Sequence, residues 1–250
     1  SSRLSGEKFH SWLERKPIQL TILATIAILI GGIIQIVPTI MVKSNIPTIS
    51  SVKPYTPLEL EGRDLYIREG CVGCHSQSVR PFRSEVERYG VQSKAGEFVY
   101  DHPFLWGSKR TGPDLLRVGG KYNDNWHFNH MWNPQSTSAG SIMPGYKWLF
   151  DNKPMDTSLT QKKMQAMISL GVPYSPEDVA NAQKTLREQA VKIEKNLESD
   201  PDFVKSYEDS RKKAKAKGEK FIPMNEREIV ALIAYIQRLG TDIKVKETSK

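Results

Sequence analysis

The sequence predicts a mainly α-helical protein in which a single N-terminal transmembrane helix precedes a helical domain. An uncharged apolar run extends from Ile18 to Val42. Helix start and stop signals also flank the segment that holds both cysteines. At 250 residues, 38% hydrophobic and 26% charged, the chain is long enough for one or two compact domains. Two cysteines allow at most one disulfide, which excludes a disulfide-built scaffold.

The apolar run at residues 18–42 is long enough to cross a membrane. As a helix it spans about 37 Å, more than the roughly 30 Å of bilayer hydrocarbon. A buried core helix is disfavoured, because a run that is apolar on every side has no polar face for water. A cleaved signal peptide is disfavoured, because the run exceeds the usual roughly 7 to 15 residues. We therefore expect an uncleaved membrane anchor.

Positive charge beside the run predicts its orientation. Four cations precede the run and two follow it over a comparable distance: Arg3, Lys8, Arg15 and Lys16, then Lys43 and Lys53. By the positive-inside rule, residues 1–17 stay in the cytoplasm and everything after Val42 is extracytoplasmic, with residues 43–54 as a linker. No large block dominates the net charge of +8, so nucleic acid is not an expected partner.

Cys71-Val72-Gly73-Cys74-His75 is the attachment pattern of a c-type haem. The two thiols add to the haem vinyl groups, and the imidazole of the next residue binds the iron. A redox dithiol and half of a zinc site are the competing interpretations. They are disfavoured, because the chain has no other cysteine and the histidine follows immediately. We expect one covalent haem c on the outer side of a bacterial cytoplasmic membrane.

The second axial ligand of a low-spin haem is a methionine or a histidine. Met143 is favoured, because Pro144 and Gly145 predict a fixed, irregular loop around it. Five other methionines fall in helical or helix-flanking patterns, where methionine usually fills core gaps: Met131, Met155, Met164, Met167 and Met224. Three histidines remain as rivals: His102, His127 and His130.

Helix signals lie on both sides of the cysteine motif. Thr56-Pro57-Leu58-Glu59 predicts a capping box and a helix that ends near Gly70. Residues 225–228 are expected to cap a second helix that stops at Gly240. The apolar residues of this second helix are expected on one face: Ile229, Leu232, Ile233, Ile236 and Leu239.

Three segments resemble those of class I cytochromes c. Gly62-Arg63-Asp64-Leu65-Tyr66 and Leu232-Ile233-Ala234-Tyr235-Ile236 are similar to the crossing N- and C-terminal helices of that family. Gly112-Pro113-Asp114-Leu115 resembles its loop, in which the proline carbonyl accepts a hydrogen bond from the haem histidine. The resemblance implies a class I cytochrome c domain in residues 55–150 and 224–240, where Pro113 orients His75.

A narrower resemblance covers most of residues 55–150. The matching segments are Cys74-His75-Ser76-Gln77, Arg80-Pro81-Phe82, Arg88-Tyr89-Gly90, Gly96-Glu97, Tyr100-Asp101, Trp106 to Leu115, Trp126-His127 with His130, and Met143-Pro144 with Tyr146, Trp148 and Leu149. Together they closely resemble the membrane-anchored monohaem subunit (subunit O, FixO) of cbb(3)-type cytochrome c oxidases. That family implies a non-catalytic subunit of the inner membrane whose haem domain is periplasmic. It relays electrons from a dihaem cytochrome c subunit to haem b of the catalytic haem–copper subunit.

Residues 151–223 are an insertion relative to that family, and Gln135 and Ile142 replace an arginine and an asparagine that are common there. Ser175 and Asp200-Pro201 predict the starts of two helices, which together form a polar helical hairpin. The end of this hairpin is strongly basic and contains Arg211, Lys212, Lys213, Lys215, Lys217 and Lys220. This basic end is interpreted either as a solvated helix end or as a docking site for an acidic carrier or lipid headgroups. Residues 241–250 are expected to form a frayed tail.

Three other functions fit parts of the sequence. A free membrane-tethered cytochrome c shuttle needs a mobile linker, and residues 43–54 are too short for a wide reach. The cytochrome c subunit of a nitric oxide reductase shares the anchor and the single haem but not the segment from Trp106 to Leu115. A haem-based sensor needs an open or labile sixth position. An electron-transfer subunit of a terminal oxidase is the favoured function.

Overall fold

The computed structural model describes residues 12–42 and 46–244. Within these ranges the chain is mainly helical and has no β-strand, which confirms the predicted fold class. It divides into two compact units, with the boundary between Pro47 and Thr48. Arg3, Lys8 and Lys43 of the orientation argument lie outside the described residues, as do residues 245–250 of the predicted tail.

The first unit contains helix α1 (Pro17–Met41), which is 25 residues long and has no buried residue. Its most apolar window has a mean hydropathy of 2.5, so α1 is long and apolar enough to cross a membrane. The hydroxyls of Thr21 and Thr39 donate to the carbonyls of Pro17 and Gln35, at 2.8 and 2.7 Å. These bonds satisfy the two hydroxyls within the helix, as an apolar surrounding requires.

The second unit contains nine α-helices within the described residues. They are α2 (Pro57–Arg68), α3 (Arg83–Tyr89), α4 (Asp124–Trp132), α5 (Pro134–Thr137), α6 (Thr160–Ser169), α7 (Pro176–Ala180), α8 (Ala182–Leu197), α9 (Pro201–Ala216) and α10 (Glu228–Arg238). Short 3₁₀ turns lie at Cys71–Gly73, Ala95–Phe98, Lys147–Phe150, Met224–Glu226 and Asp242–Lys244.

Helices α2 and α10 cross in close contact at Gly62. A Cβ atom on Gly62 would overlap the carbonyl oxygen of Ala231 and lie 2.8 Å from Cβ of Tyr235. Only glycine therefore allows this approach. Helix α2 begins with the predicted capping box, since Glu59 N–H donates to the Thr56 hydroxyl at 3.3 Å and Thr56 N–H donates to the Glu59 carboxylate at 2.8 Å.

Helix α10 differs from the prediction at its start and in its surroundings. Asn225 does not cap it; α10 begins after Arg227 without a side-chain cap, and the Asn225 amide donates to the Glu194 carboxylate at 2.6 Å. Every residue from Ile229 to Ile236 is buried, so the burial extends beyond the expected apolar face to the other sides of the helix. Helix α8 of the insertion covers a side of α10 that the prediction left to water, which leaves no face for polar residues.

The insertion joins the main core. Ser175 caps a helix as predicted, but the apolar pattern from Val179 to Leu197 is divided at Asn181 into α7 and α8. The buried side of α8 and Phe203 of α9 lie in the same apolar cluster as α2 and α10: Leu186, Ala190, Ile193, Leu197 and Phe203. The methionines predicted to fill core gaps lie in the core or at its margin: Met131, Met164, Met167 and Met224 are buried, and Met155 is half-buried.

Residues 48–54 of the predicted linker and residues 241–244 of the predicted tail belong to the second unit. Val52 is buried, and Lys53 N–H donates to the Asp242 carboxylate at 3.2 Å. Asp242 also pairs with Arg238 at 2.5 Å, and Lys244 donates to the Gly119 carbonyl at 2.5 Å. The expectation of fraying was therefore wrong for residues 241–244, because these contacts fasten them to the domain.

Candidate haem site

The cysteine motif occupies a tight turn directly after α2. Gly70, at φ +72°, ends the helix, and a 3₁₀ turn follows at Cys71–Gly73. The N–H groups of Cys74 and His75 both donate to the Cys71 carbonyl, at 3.1 and 2.9 Å. The turn therefore holds both cysteines and the histidine on one compact piece of backbone.

The two cysteines are free, Cys71 buried and Cys74 exposed. Burial raises the pKa of the Cys71 thiol to about 12. A redox dithiol needs an accessible thiolate at neutral pH, so this environment is unlike that of a reactive pair. No group of three or more metal-binding side chains of the zinc type occurs among the described residues.

The imidazole of His75 is held by the loop that contains Pro113. Its Nδ1 lies 2.8 Å from the Pro113 carbonyl oxygen. Because a carbonyl only accepts, Nδ1 carries the proton and Nε2 keeps its lone pair. Burial lowers the pKa of His75, which favours the neutral form that binds metals. The backbone of Gly112 lies against the ring, since a Cβ atom there would be 2.7 Å from Nδ1.

These residues fit a covalent haem c. Cys71 and Cys74 offer two thiols, and His75 offers a free nitrogen lone pair whose opposite side is already bound to Pro113. Histidines that bind a metal through one ring nitrogen usually donate a hydrogen bond from the other ring nitrogen to a carbonyl or a carboxylate. The residues present therefore suit a covalent haem c, and its attachment to them stays a prediction.

A buried carboxylate, that of Asp114, directly follows Pro113 in the chain. The Asp114 side chain is fully buried and accepts hydrogen bonds from the Ser76 hydroxyl at 2.6 Å, Ser78 N–H at 2.8 Å and Leu116 N–H at 2.9 Å. Two backbone bonds join the same segments, Gly112 N–H to Cys74 and Leu115 N–H to Ser76, at 3.0 and 2.9 Å. Hydrogen bonds thus join the segment that contains His75 to the Pro113 loop.

Arg110 completes this network. It donates to the Ser76 hydroxyl at 2.8 Å and to the Ser78 carbonyl at 2.7 Å, and its guanidinium lies 3.6 Å from Asp114. It also pairs with Glu85, whose pKa is lowered to about 2 by hydrogen bonds from Arg110 and Arg80. Ser76, Arg110 and Asp114 lie in segments that carry the family resemblance, but no sequence pattern predicted their pairing, because it joins positions that are distant in the chain.

Met143 lies in the irregular loop that the sequence predicted. Its side chain is half-buried against the main core, and its N–H donates to the Ser141 hydroxyl at 3.2 Å. The loop is fastened to the end of α4, since Tyr146 N–H donates to the Met131 carbonyl at 2.8 Å. Burial raises the pKa of Tyr146, and so do the nearby cysteine thiols, which places this loop beside the cysteine motif. The ligand role of Met143 stays a prediction.

The rival histidines have different surroundings. His130 stacks on Trp126, with ring centres 4.6 Å apart, and its Nδ1 lies 2.6 Å from the Thr137 hydroxyl. Burial lowers the pKa of His130, and the charge of His75 lowers it further, so these two histidines are neighbours. His127 is buried, and its Nε2 has no hydrogen-bond partner among the described residues. The backbone carbonyl of His102 accepts from Arg63 at 3.1 Å.

A comparison with protein families finds a match over most of the chain. The model of the family described as cytochrome c oxidase, mono-heme subunit/FixO, matches residues 10–243. No curated protein matches the chain. The matched range includes α1, the cysteine motif, the insertion and α10, which is nearly the whole chain. The protein therefore belongs to the FixO family of mono-haem cytochrome c oxidase subunits.

Proposed function

We propose that this chain is the membrane-anchored electron-transfer subunit of a cbb(3)-type haem–copper oxidase and carries one covalent haem c. Family membership makes it a cytochrome c oxidase subunit that binds haem and has partner subunits. The observation that carries the finer proposal is the geometry of His75. His75 lies on the turn that also holds both thiols, and its Nδ1 donates a hydrogen bond to the Pro113 carbonyl, which leaves Nε2 for the iron.

Four side chains would hold the cofactor, which when bound supplies one-electron chemistry between ferrous and ferric iron. The thiols of Cys71 and Cys74 would hold it covalently, and His75 Nε2 and the thioether of Met143 would be the iron ligands. A thioether ligand would favour ferrous iron and raise the reduction potential. Because this chain would supply both protein ligands, the reduction of oxygen would belong to the catalytic subunit.

The proposed route takes electrons from a dihaem cytochrome c subunit to haem b of the catalytic subunit. Residues 18–42 would anchor the chain in the bacterial inner membrane, with residues 1–17 in the cytoplasm and the haem domain in the periplasm. Support for this orientation within the described residues comes from Arg15 and Lys16 directly before α1.

Purification from detergent-solubilised membranes tests the function. A tagged chain should co-purify with a multi-span haem–copper subunit, and haem staining under denaturing conditions should label a band near 28.3 kDa. Replacing both Cys71 and Cys74 by alanine should abolish that stain. A wild-type chain that purifies alone but retains covalent haem contradicts the oxidase assignment and favours a free shuttle. Unchanged staining of the double variant contradicts the proposed attachment.

A further inference from the structure

A buried charge lies one residue from the carbonyl that orients the haem histidine. Asp114 directly follows Pro113, and its side chain has no exposed surface. An ionised carboxylate in such a place is costly unless hydrogen bonds and an opposite charge compensate it. Three hydrogen bonds and the guanidinium of Arg110 supply that compensation. The position of this side chain therefore depends on these partners.

Two of the three hydrogen-bond donors to Asp114 belong to the segment that contains His75. Ser76 and Ser78 follow the histidine by one and three residues, and both donate to the same carboxylate oxygen, at 2.6 and 2.8 Å. The third donor, Leu116 N–H, lies on the Pro113 loop itself. One side chain therefore fixes the spacing between the donor and the acceptor of the His75–Pro113 bond.

The packing on the imidazole leaves little room for adjustment. A Cβ atom on Gly112 would lie 2.8 Å from Nε2 and 2.7 Å from Nδ1 of His75, so this glycine is in direct contact with the ring. Arg110, two residues earlier, is held to Ser76 at 2.8 Å and paired with Glu85. The loop is thus restrained on both sides of Pro113, by Arg110 and by Asp114.

We infer that Asp114, together with Ser76 and Arg110, is a positioning group that holds the Pro113 carbonyl on Nδ1 of His75 and so lowers the reduction potential of the haem. The inference rests on the proposed function. A strong hydrogen bond from Nδ1 makes the imidazole a more basic ligand. A more basic ligand stabilises ferric iron more than ferrous iron. When the carboxylate or its donor is removed, the bond weakens and the potential rises.

The reduction potential of the haem-loaded full chain in detergent tests the inference. Ser76→Ala removes one hydrogen bond of Asp114 without changing any charge, and Asp114→Asn removes the charge but keeps the shape. Both should shift the ferric-to-ferrous equilibrium about tenfold toward ferrous, which is about 59 mV for one electron. The g-values of low-spin ferric haem, measured by electron paramagnetic resonance, should shift with the potential because they report the ligand field of the imidazole.

Two variants serve as matched controls. Ser93→Ala removes a hydroxyl that accepts from Val79 N–H at 2.7 Å, outside the Asp114 network. Glu97→Gln neutralises a buried carboxylate that pairs with Arg117 at 2.5 Å. Both should keep the wild-type potential and g-values, since Ser93 bonds to Val79 and Glu97 bonds to Arg117 and Lys94, and none of these bonds involves Asp114, Ser76, Arg110 or Pro113.

Three outcomes overturn the inference: a wild-type potential in Ser76→Ala, a shift in Asp114→Asn alone, which indicates a simple charge effect, or equal shifts in Ser76→Ala and Ser93→Ala. If Asp114→Asn does not fold, Ser76→Ala and its control still decide. A wild-type chain without covalent haem rejects the proposed function instead, whereas a normal haem-loaded chain with unshifted variants rejects only the positioning role.

Discussion

The crossing of α2 and α10 and the candidate haem site are built by different means. At the crossing, a glycine brings two regular helices into backbone contact, and α10 is buried on all sides. At the haem site, irregular segments are held by the buried carboxylate of Asp114, by Arg110 and by hydrogen bonds to backbone. The crossing depends on shape, whereas the site depends on polar partners that must all be present.

The difference implies that stability and chemistry respond to different substitutions. A change of volume should be severe at the crossing, where no space exists, and mild on the exposed side of the haem turn. A change of charge or of a hydrogen-bond donor should be severe at the candidate haem site and mild at the crossing. The predictions below test this division, beginning with the largest expected effect.

Gly62→Ala should prevent the native crossing. Its Cβ atom would overlap the Ala231 carbonyl, so the helices must separate, and we expect a loss of at least about 3 kcal/mol in the free energy of unfolding. Urea unfolding of the full chain in detergent measures it. Gly73→Ala in the haem turn is the control, because a Cβ there meets nothing within 4 Å. Equal midpoints for the two variants would contradict the contrast.

Met143→Ala should abolish the methionine–iron charge-transfer band of the ferric protein while covalent haem staining persists. The thioether is the proposed sixth ligand, and its loop is fastened independently by the Tyr146 to Met131 bond at 2.8 Å. Met155→Ala, another half-buried methionine, should keep the band. A retained band in Met143→Ala rejects this ligand and indicates another methionine, whereas a wild-type protein without the band indicates a histidine ligand, which His130→Ala then tests.

Acid should destabilise the domain through His127. Burial lowers its pKa from 6.5 to about 4, so the folded state keeps the ring neutral while the unfolded state takes up a proton. The resulting stability is present above pH 6.5 and is lost as the pH falls toward 4, by about 3 kcal/mol at most. Unfolding of wild type and His127→Gln at pH 7 and pH 4.5 isolates this contribution. Parallel losses in both proteins would assign the acid sensitivity to other groups.

Substitutions at the two ends of α9 should differ in their effect on stability, because one end is packed in the main core and the other is exposed. Phe203→Ala should cost about 3 kcal/mol, because Phe203 is buried in the main core and packs on Phe128 with ring centres 5.1 Å apart. Replacing the exposed Lys213 by alanine should change stability by less than about 0.5 kcal/mol. Thermal unfolding compares them. A large loss in Lys213→Ala would show that the basic end is structural.

Much of this protein follows from short-range patterns. The apolar run predicted α1, Thr56 with Glu59 predicted the start of α2, and the cysteine motif predicted the donor atoms of the site. Each of these depends on residues within a few positions or on one uninterrupted segment, so the chain carries the signal locally. The resemblance to a known family added the Pro113 contact, which the structure places at 2.8 Å from His75.

Tertiary structure decided what depends on distant partners. The burial of α10 on every side follows from α8, and Asn225 bonds to Glu194 rather than capping a helix, because the insertion folds onto the domain. The joining of Asp114, Ser76 and Arg110 next to His75 likewise needs two segments that lie more than thirty residues apart. The sequence alone determined the apolar helix α1, the start of α2 and the residues of the haem-attachment pattern. Only the fold selected which buried polar groups meet, since their pairing energy exists only once water is excluded.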